Sequence, residues 1–239
     1  HLLSVVMPEM KGRGPAWLIL LGLFMYDNLG GREILPGTRS VDLSDGPEGA
    51  PLQQRFAKAC EYSDCWIEDS RLVVLNARDA EARGAKVMTR TEVLNAERSG
   101  DLWRVTTRDR DSSEEITHQA RMLVNAGGPW VGDIIRQKIR SNSTEGVRLV
   151  RGSHIVVPKL FDHGRCYFFQ GTDGRIIFAI PYEEDFTLIG TTDSDHSDPD
   201  TAPECTAEEQ DYLIDFASGY FNQPLKREDI GWTYSGVRP

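Results

Sequence analysis

From Val147 onward the chain alternates apolar and polar residues in short runs, the two-residue period of strands with one covered face. The pattern predicts strands at Val147–Val150, His154–Val157, Cys166–Phe169, Ile176–Ile180, Phe186–Gly190 and Gly231–Tyr234. One helix interrupts them, Thr206–Tyr220, opened by Thr206 with Glu209 three residues later as a reciprocal capping pair. The earlier half is mixed. An apolar run, Ala16–Tyr26, predicts a buried helix inside a longer one from about Pro15 to Leu29, stopped by Gly30-Gly31. A polar loop from Arg32 to about Pro51, a short helix at Leu52–Ala59 and a strand or extended turn at Glu61–Ile67 follow. From Asp69, residues Leu72, Val73, Leu75, Asn76 and Ala80 share a helical face that ends at Gly84, and Ala85–Leu94 reads as a strand, making one α/β unit. Leu102–Asp109 and Glu114–Ala120 are predicted strands joined by a polar turn, and Arg121–Gly128 is an apolar strand running into glycines. The fold class is therefore mixed α/β to about residue 140, then an antiparallel sheet with one covering helix.

Composition narrows the function classes. With 239 residues, 39% of them hydrophobic, the chain has material for one large core or two small ones. A net charge of −10 argues against a nucleic-acid partner, because neutralising phosphates requires a cationic surface. An anionic substrate would need a local cationic pocket. Cys60, Cys65, Cys166 and Cys205 follow no metal or CxxC spacing, which fits ordinary thiols in a reduced, cytosolic setting. No stretch reaches the roughly 18–20 apolar residues of a membrane-spanning helix. The Ala16–Tyr26 run can still rest on a membrane as an alternative to burial.

Four stretches carry candidate chemistry. Leu123-Val124-Asn125-Ala126-Gly127-Gly128-Pro129-Trp130 ends a branched strand in small residues that admit a flat or phosphorylated ligand to the backbone, or simply make a tight turn. Arg151-Gly152-Ser153-His154 places a histidine at the start of a strand, beside Arg148 and Arg151, where it can titrate near neutrality and take a hydroxyl proton. In Trp232-Thr233-Tyr234-Ser235-Gly236-Val237-Arg238-Pro239 the arginine fork suits a phosphate, a carboxylate or a surface salt bridge, and the local sequence does not decide among them. Leu188–Asp193 ends in two hydroxyls and an acid that bind a ligand or close a turn. The spaced Asp193, Asp195, Asp198 and Asp200 lack the glycine and terminal glutamate of a calcium loop.

Taken with Gly22–Asp27, Glu61–Trp66, Asp69–Leu72, Ile180–Tyr182 and Ile189–Asp193, these blocks resemble the FAD-dependent, quinone-linked glycerol-3-phosphate dehydrogenases over almost the whole chain. The resemblance implies a Rossmann-like FAD-binding domain assembled from separated segments plus an antiparallel-sheet substrate domain of the D-amino-acid-oxidase-like flavoprotein type. On this division residues 1–60 are a helical and loop segment of the substrate side, 61–140 a partial FAD-binding domain, and 141–239 a truncated substrate-binding domain. It implies oxidation of sn-glycerol 3-phosphate to dihydroxyacetone phosphate, hydride passing to FAD and electrons on to quinone. The implied setting is a cytoplasmic protein, peripheral on the inner face of the cytoplasmic membrane, homodimeric in its full-length form. By position, His154 matches the active-site histidine and Arg238 the arginine near the substrate, while Val93, Ala126, Gly127 and Gly128 match backbone contacts to FAD. Gly127 stands where Thr or Ala is common.

Two parts of the family pattern are absent from the chain: the Gly-x-Gly-x-x-Gly turn that holds the FAD pyrophosphate, and the later Gly-Gly-Lys segment with the helical domain after it. The expectation is an internal piece of the enzyme that binds FAD poorly and does not turn over alone. The alternatives are an FAD-dependent oxidase of amines or 2-hydroxy acids in the same superfamily, or a non-catalytic fold fragment.

Overall fold

A computed structural model describes residues 2–9, 16–29, 34–143, 146–171 and 173–239. The chain divides into two units. The first comprises residues 1–67, 151–194 and 202–236, and the second comprises 68–150, 195–201 and 237–239.

The first unit is built on one mixed sheet. Its strands are β1 (Leu2–Pro8), β2 (Arg39–Asp42), β3 (Lys58–Cys65), β7 (Leu149–Pro158), β8 (Cys166–Gln170), β9 (Ile176–Tyr182), β10 (Phe186–Gly190) and β12 (Trp232–Arg238), numbered in chain order with those of the second unit. The order is β7-β10-β9-β8-β1-β3-β2, with β11 (Ser194–His196) and β12 also on β7. Within it β1 is antiparallel to β3 but parallel to β8, pairing Val5 with Cys166. Residues 1–60, read from sequence as helix and loop, thus supply β1, β2 and the start of β3 to the sheet.

Alternation sets what lies beneath. Ile155 and Val157 of β7, Ile189 of β10, Ala179 and Ile177 of β9, and Tyr167 and Phe169 of β8 are buried in one core. Helix α4 (Ala207–Ser218) covers that face with Leu213, Ile214 and Ala217. Phe169 stacks on Tyr220 with ring centroids 4.1 Å apart, and Phe56 stacks on Tyr220 at 5.1 Å. Those contacts explain why Leu52–Ala59 is not a helix. Leu52 bridges to Phe221, Phe56 is drawn into the aromatic core, and β3 begins at Lys58. The predicted capping pair forms in full, with Thr206 and Glu209 each accepting the other's backbone amide. Helix α1 (Ala16–Asn28) follows the apolar run, although Trp17, Phe24 and Met25 are each more than 60% exposed, so the expected burial is absent. Its predicted start at Pro15 and stop at Gly30-Gly31 lie outside the described residues.

The second unit holds α2 (Asp69–Ala82), the antiparallel sheet β4-β5-β6 (Thr91–Ser99, Leu102–Asp109, Glu115–Ala120), and a helical segment 128–139 that includes α3 (Val131–Asp133). Gly84 ends α2 in the left-handed region, at φ +95°. Of two predicted strands, Ala85–Leu94 forms only from Thr91, where β4 begins, and Arg121–Gly128 does not form. Ala85–Met88 and Leu123–Ala126 lie outside every strand, and Met122 and Val124 are more than 70% exposed. Backbone in these apolar stretches has no neighbouring strand among the described residues, and pattern alone does not hold a strand without one. The expected helix-then-strand order is kept, with α2 followed by β4, which opens the antiparallel meander β4-β5-β6.

Candidate active site

His154 lies in the middle of β7, which runs unbroken through Gly152 where two separate strands were expected. Because Ser153, Ile155 and Val157 point into the core, period two puts His154 on the opposite face. Its cross-strand partner there is Gly190. That glycine is required by space: a β-carbon on it would overlap the imidazole, lying 2.6 Å from Cγ and 2.9 Å from Nε2. On its other edge β7 pairs with β12, whose Tyr234 stacks on the imidazole at 4.9 Å and 11°.

Burial pushes the His154 pKa below the ordinary imidazole value, with no charged group contributing. The neutral form, which can accept a proton, is thereby favoured. Nδ1 is buried with no hydrogen-bond partner among the described residues. The two arginines expected beside it are engaged elsewhere. Arg151 donates to Glu209 Oε2 at 3.0 Å, and Arg148 pairs with Asp195. Burial therefore sets the proton affinity where neighbouring cations were the sequence-based expectation.

A polar chain supports the strand beside the histidine. The Ser153 amide donates to Thr192 Oγ1 at 2.9 Å, and that hydroxyl donates to Glu209 Oε1 at 2.8 Å. Glu209 also accepts from Ser194 Oγ and from the Thr206 amide. Burial acts to raise its pKa, and the Thr206 amide, the Thr192 hydroxyl and Arg151 outweigh it, so the carboxyl sits below its ordinary range. The Ser153 hydroxyl meets that of Ser235 at 2.8 Å. Sequence reading found Glu209 only as a helix cap and Gly190 only as a strand end. Register across β7 and β10 reveals their second roles, and no local pattern announces it.

The remaining matched positions fall in the second unit. Arg238, at the end of β12, is exposed. Val93 lies in the meander strand β4, at a register shift before Asn95. Ala126 is exposed, and the Gly127 amide donates to Asn125 Oδ1 at 3.2 Å. Gly128 sits at φ +55° with open space where a side chain would stand. The Asn125 amide donates to the Val131 carbonyl at 3.1 Å, so this side chain braces both sides of the glycine turn. At Gly128 the backbone is open to a flat or phosphorylated group, whereas the side-chain position of Gly127 is filled by Ile134.

Comparison with known proteins agrees with this fold. The family model for FAD dependent oxidoreductases matches residues 21–239. The chain is 48% identical over 234 residues to D-erythritol 1-phosphate dehydrogenase of Brucella abortus (strain 2308), covering 98% of this chain and 47% of the relative. It is 42% identical over 233 residues to aerobic glycerol-3-phosphate dehydrogenase of Escherichia coli (strain K12), covering 98% and 46%. Among solved structures, glycerol-3-phosphate dehydrogenase from Bacillus halodurans complexed with FAD superposes with a TM-score of 0.77 at 26% identity, over 100% of this chain and 44% of that one. The chain spans less than half the length of these relatives. It belongs to the FAD-dependent oxidoreductase family.

Proposed function

We propose that this chain forms the substrate-side part of an FAD-dependent dehydrogenase that oxidises a secondary hydroxyl of a phosphorylated polyol. The observation that carries the reading is the half-buried His154 imidazole held between Gly190 and Tyr234, with its pKa lowered by burial. The substrate is sn-glycerol 3-phosphate, which the 42% identity to the Escherichia coli glycerol-3-phosphate dehydrogenase supports, the product is dihydroxyacetone phosphate and the final acceptor is quinone. A second substrate, D-erythritol 1-phosphate, is favoured by the 48% identity to the Brucella abortus enzyme.

FAD, when bound, would supply the hydride acceptor for the carbinol carbon. The residues present fit it. The exposed Ala126, the turn at Gly127 and the open space at Gly128, with the half-exposed strand at Val93, would contact the cofactor, without a side chain standing over Gly128. His154 takes the hydroxyl proton as the carbinol C–H electrons leave, so the carbon becomes a ketone. Arg238 offers a two-pronged donor to the phosphate or the developing oxyanion. The exposed apolar residues of α1, Trp17, Phe24 and Met25 among them, supply a contact to a membrane surface, where the quinone resides. Without the pyrophosphate-binding turn the isolated chain does not turn over.

The test uses the FAD-loaded protein that carries this chain, mixed anaerobically with glycerol 3-phosphate, D-erythritol 1-phosphate, an amino acid and a 2-hydroxy acid in turn. Bleaching of the flavin by one or both phosphates and by neither of the others supports the reading. Bleaching by the amino acid or hydroxy acid alone contradicts it.

A further inference from the structure

We propose that Tyr234 is a positioning residue for the His154 imidazole, its ring forming one wall of a slot whose other wall is the backbone of Gly190. This rests on the proposed role of His154 and adds a residue to it. Strand β7 uses one edge for β10 and the other for β12, so the imidazole is flanked by Gly190 from one neighbour and Tyr234 from the other. The two rings are nearly parallel, 11° apart, at the 4.9 Å expected of an offset stack. On the Gly190 side there is no room for even a methyl group. An imidazole in such a slot cannot turn about its own bonds without lifting Tyr234 or straining the sheet.

The backbone beneath is fixed as well. Ser153 and Ser235, each one residue along from a slot member, join hydroxyl to hydroxyl at 2.8 Å. Gly231 donates its amide to the Val156 carbonyl at 2.9 Å, which fixes β12 against β7. Tyr234 is the titratable group that β12 sets against the ring, and Arg151 on β7 is taken up by Glu209 of α4. The slot therefore acts through burial, which lowers the His154 pKa with no charged group adding to it.

Proton magnetic resonance of the five histidines in this chain, with His154→Gln to assign the signal, reads the slot without substrate or cofactor. The unaltered chain should titrate His154 below the ordinary value of about 6.5. Tyr234→Ala should move the midpoint up toward that value, and Tyr234→Phe should leave it lowered. Tyr234 is 42% exposed, so its loss removes little core packing. In the FAD-loaded protein the acid limb of kcat/KM should move with the same sign in Tyr234→Ala. An unshifted midpoint in Tyr234→Ala, an equal shift in Tyr234→Phe, or a normal midpoint in the unaltered chain overturns the slot. A moved midpoint together with intact turnover in His154→Ala upholds the slot and refutes the proposed function.

Discussion

Glu209 accepts the Thr192 hydroxyl at 2.8 Å, and that hydroxyl accepts the Ser153 amide, so the first turn of α4 is tied to the residue before His154. Only 7% of Glu209 is exposed, and it carries the Arg151 guanidinium at 3.0 Å. Glu209→Ala leaves that cation without its partner, and breaking such a pair costs roughly 3–5 kcal/mol. The Arg151 side chain keeps 19% exposure, which puts the expected loss toward the lower end. Urea unfolding of the variant checks the figure. Because the Glu209 pKa is depressed in the fold, this contribution is present above the ordinary carboxylate range and lost as pH falls through the folded value.

Gly190→Ala tests the clearance opposite His154 directly. The added methyl overlaps the ring, which must leave its place. Turnover of the FAD-loaded protein should fall by the roughly 10²–10⁴-fold of a lost general base. Gly164→Ala, where a β-carbon meets nothing within 4 Å, is the matched control and should leave the rate unchanged.

Histidine burial predicts a pH dependence of stability opposite in sense to that of a salt-bridged histidine. Burial lowers the pKa of His154, and burial followed by the Arg165 cation lowers that of His163. The unfolded chain therefore takes up protons first as pH drops. Stability should be greatest above about pH 6.5 and decline below it, until the folded histidines protonate too. His163→Gln should flatten the decline, measured by denaturation between about pH 5 and 8.

Much of the sheet was legible because its strands announce themselves. Phe186–Gly190 and Leu102–Asp109 have the predicted bounds, since alternation and flanking turns both mark them. The capping pair at Thr206 and Glu209 was equally plain, being a local motif. Failures cluster where long-range partners decide. Leu52–Ala59 yields to aromatic packing from Tyr220 and Phe221, and Ala85–Met88 has no strand to pair with among the described residues. In the candidate site, the sequence singled out His154 by its residue type, while the arginines expected beside it pair with Glu209 and Asp195. Gly190 and Tyr234 acquire their roles only through the register of β10 and β12 on β7, which no single stretch encodes.

The central claim is that His154 removes the substrate hydroxyl proton. Anaerobic stopped-flow bleaching of the flavin in the FAD-loaded protein, with and without His154→Ala, measures that step before any electron acceptor intervenes. The account predicts a bleaching rate on glycerol 3-phosphate or D-erythritol 1-phosphate lower by roughly 10²–10⁴-fold in the variant, with flavin content unchanged. An equal rate in the two proteins would contradict it.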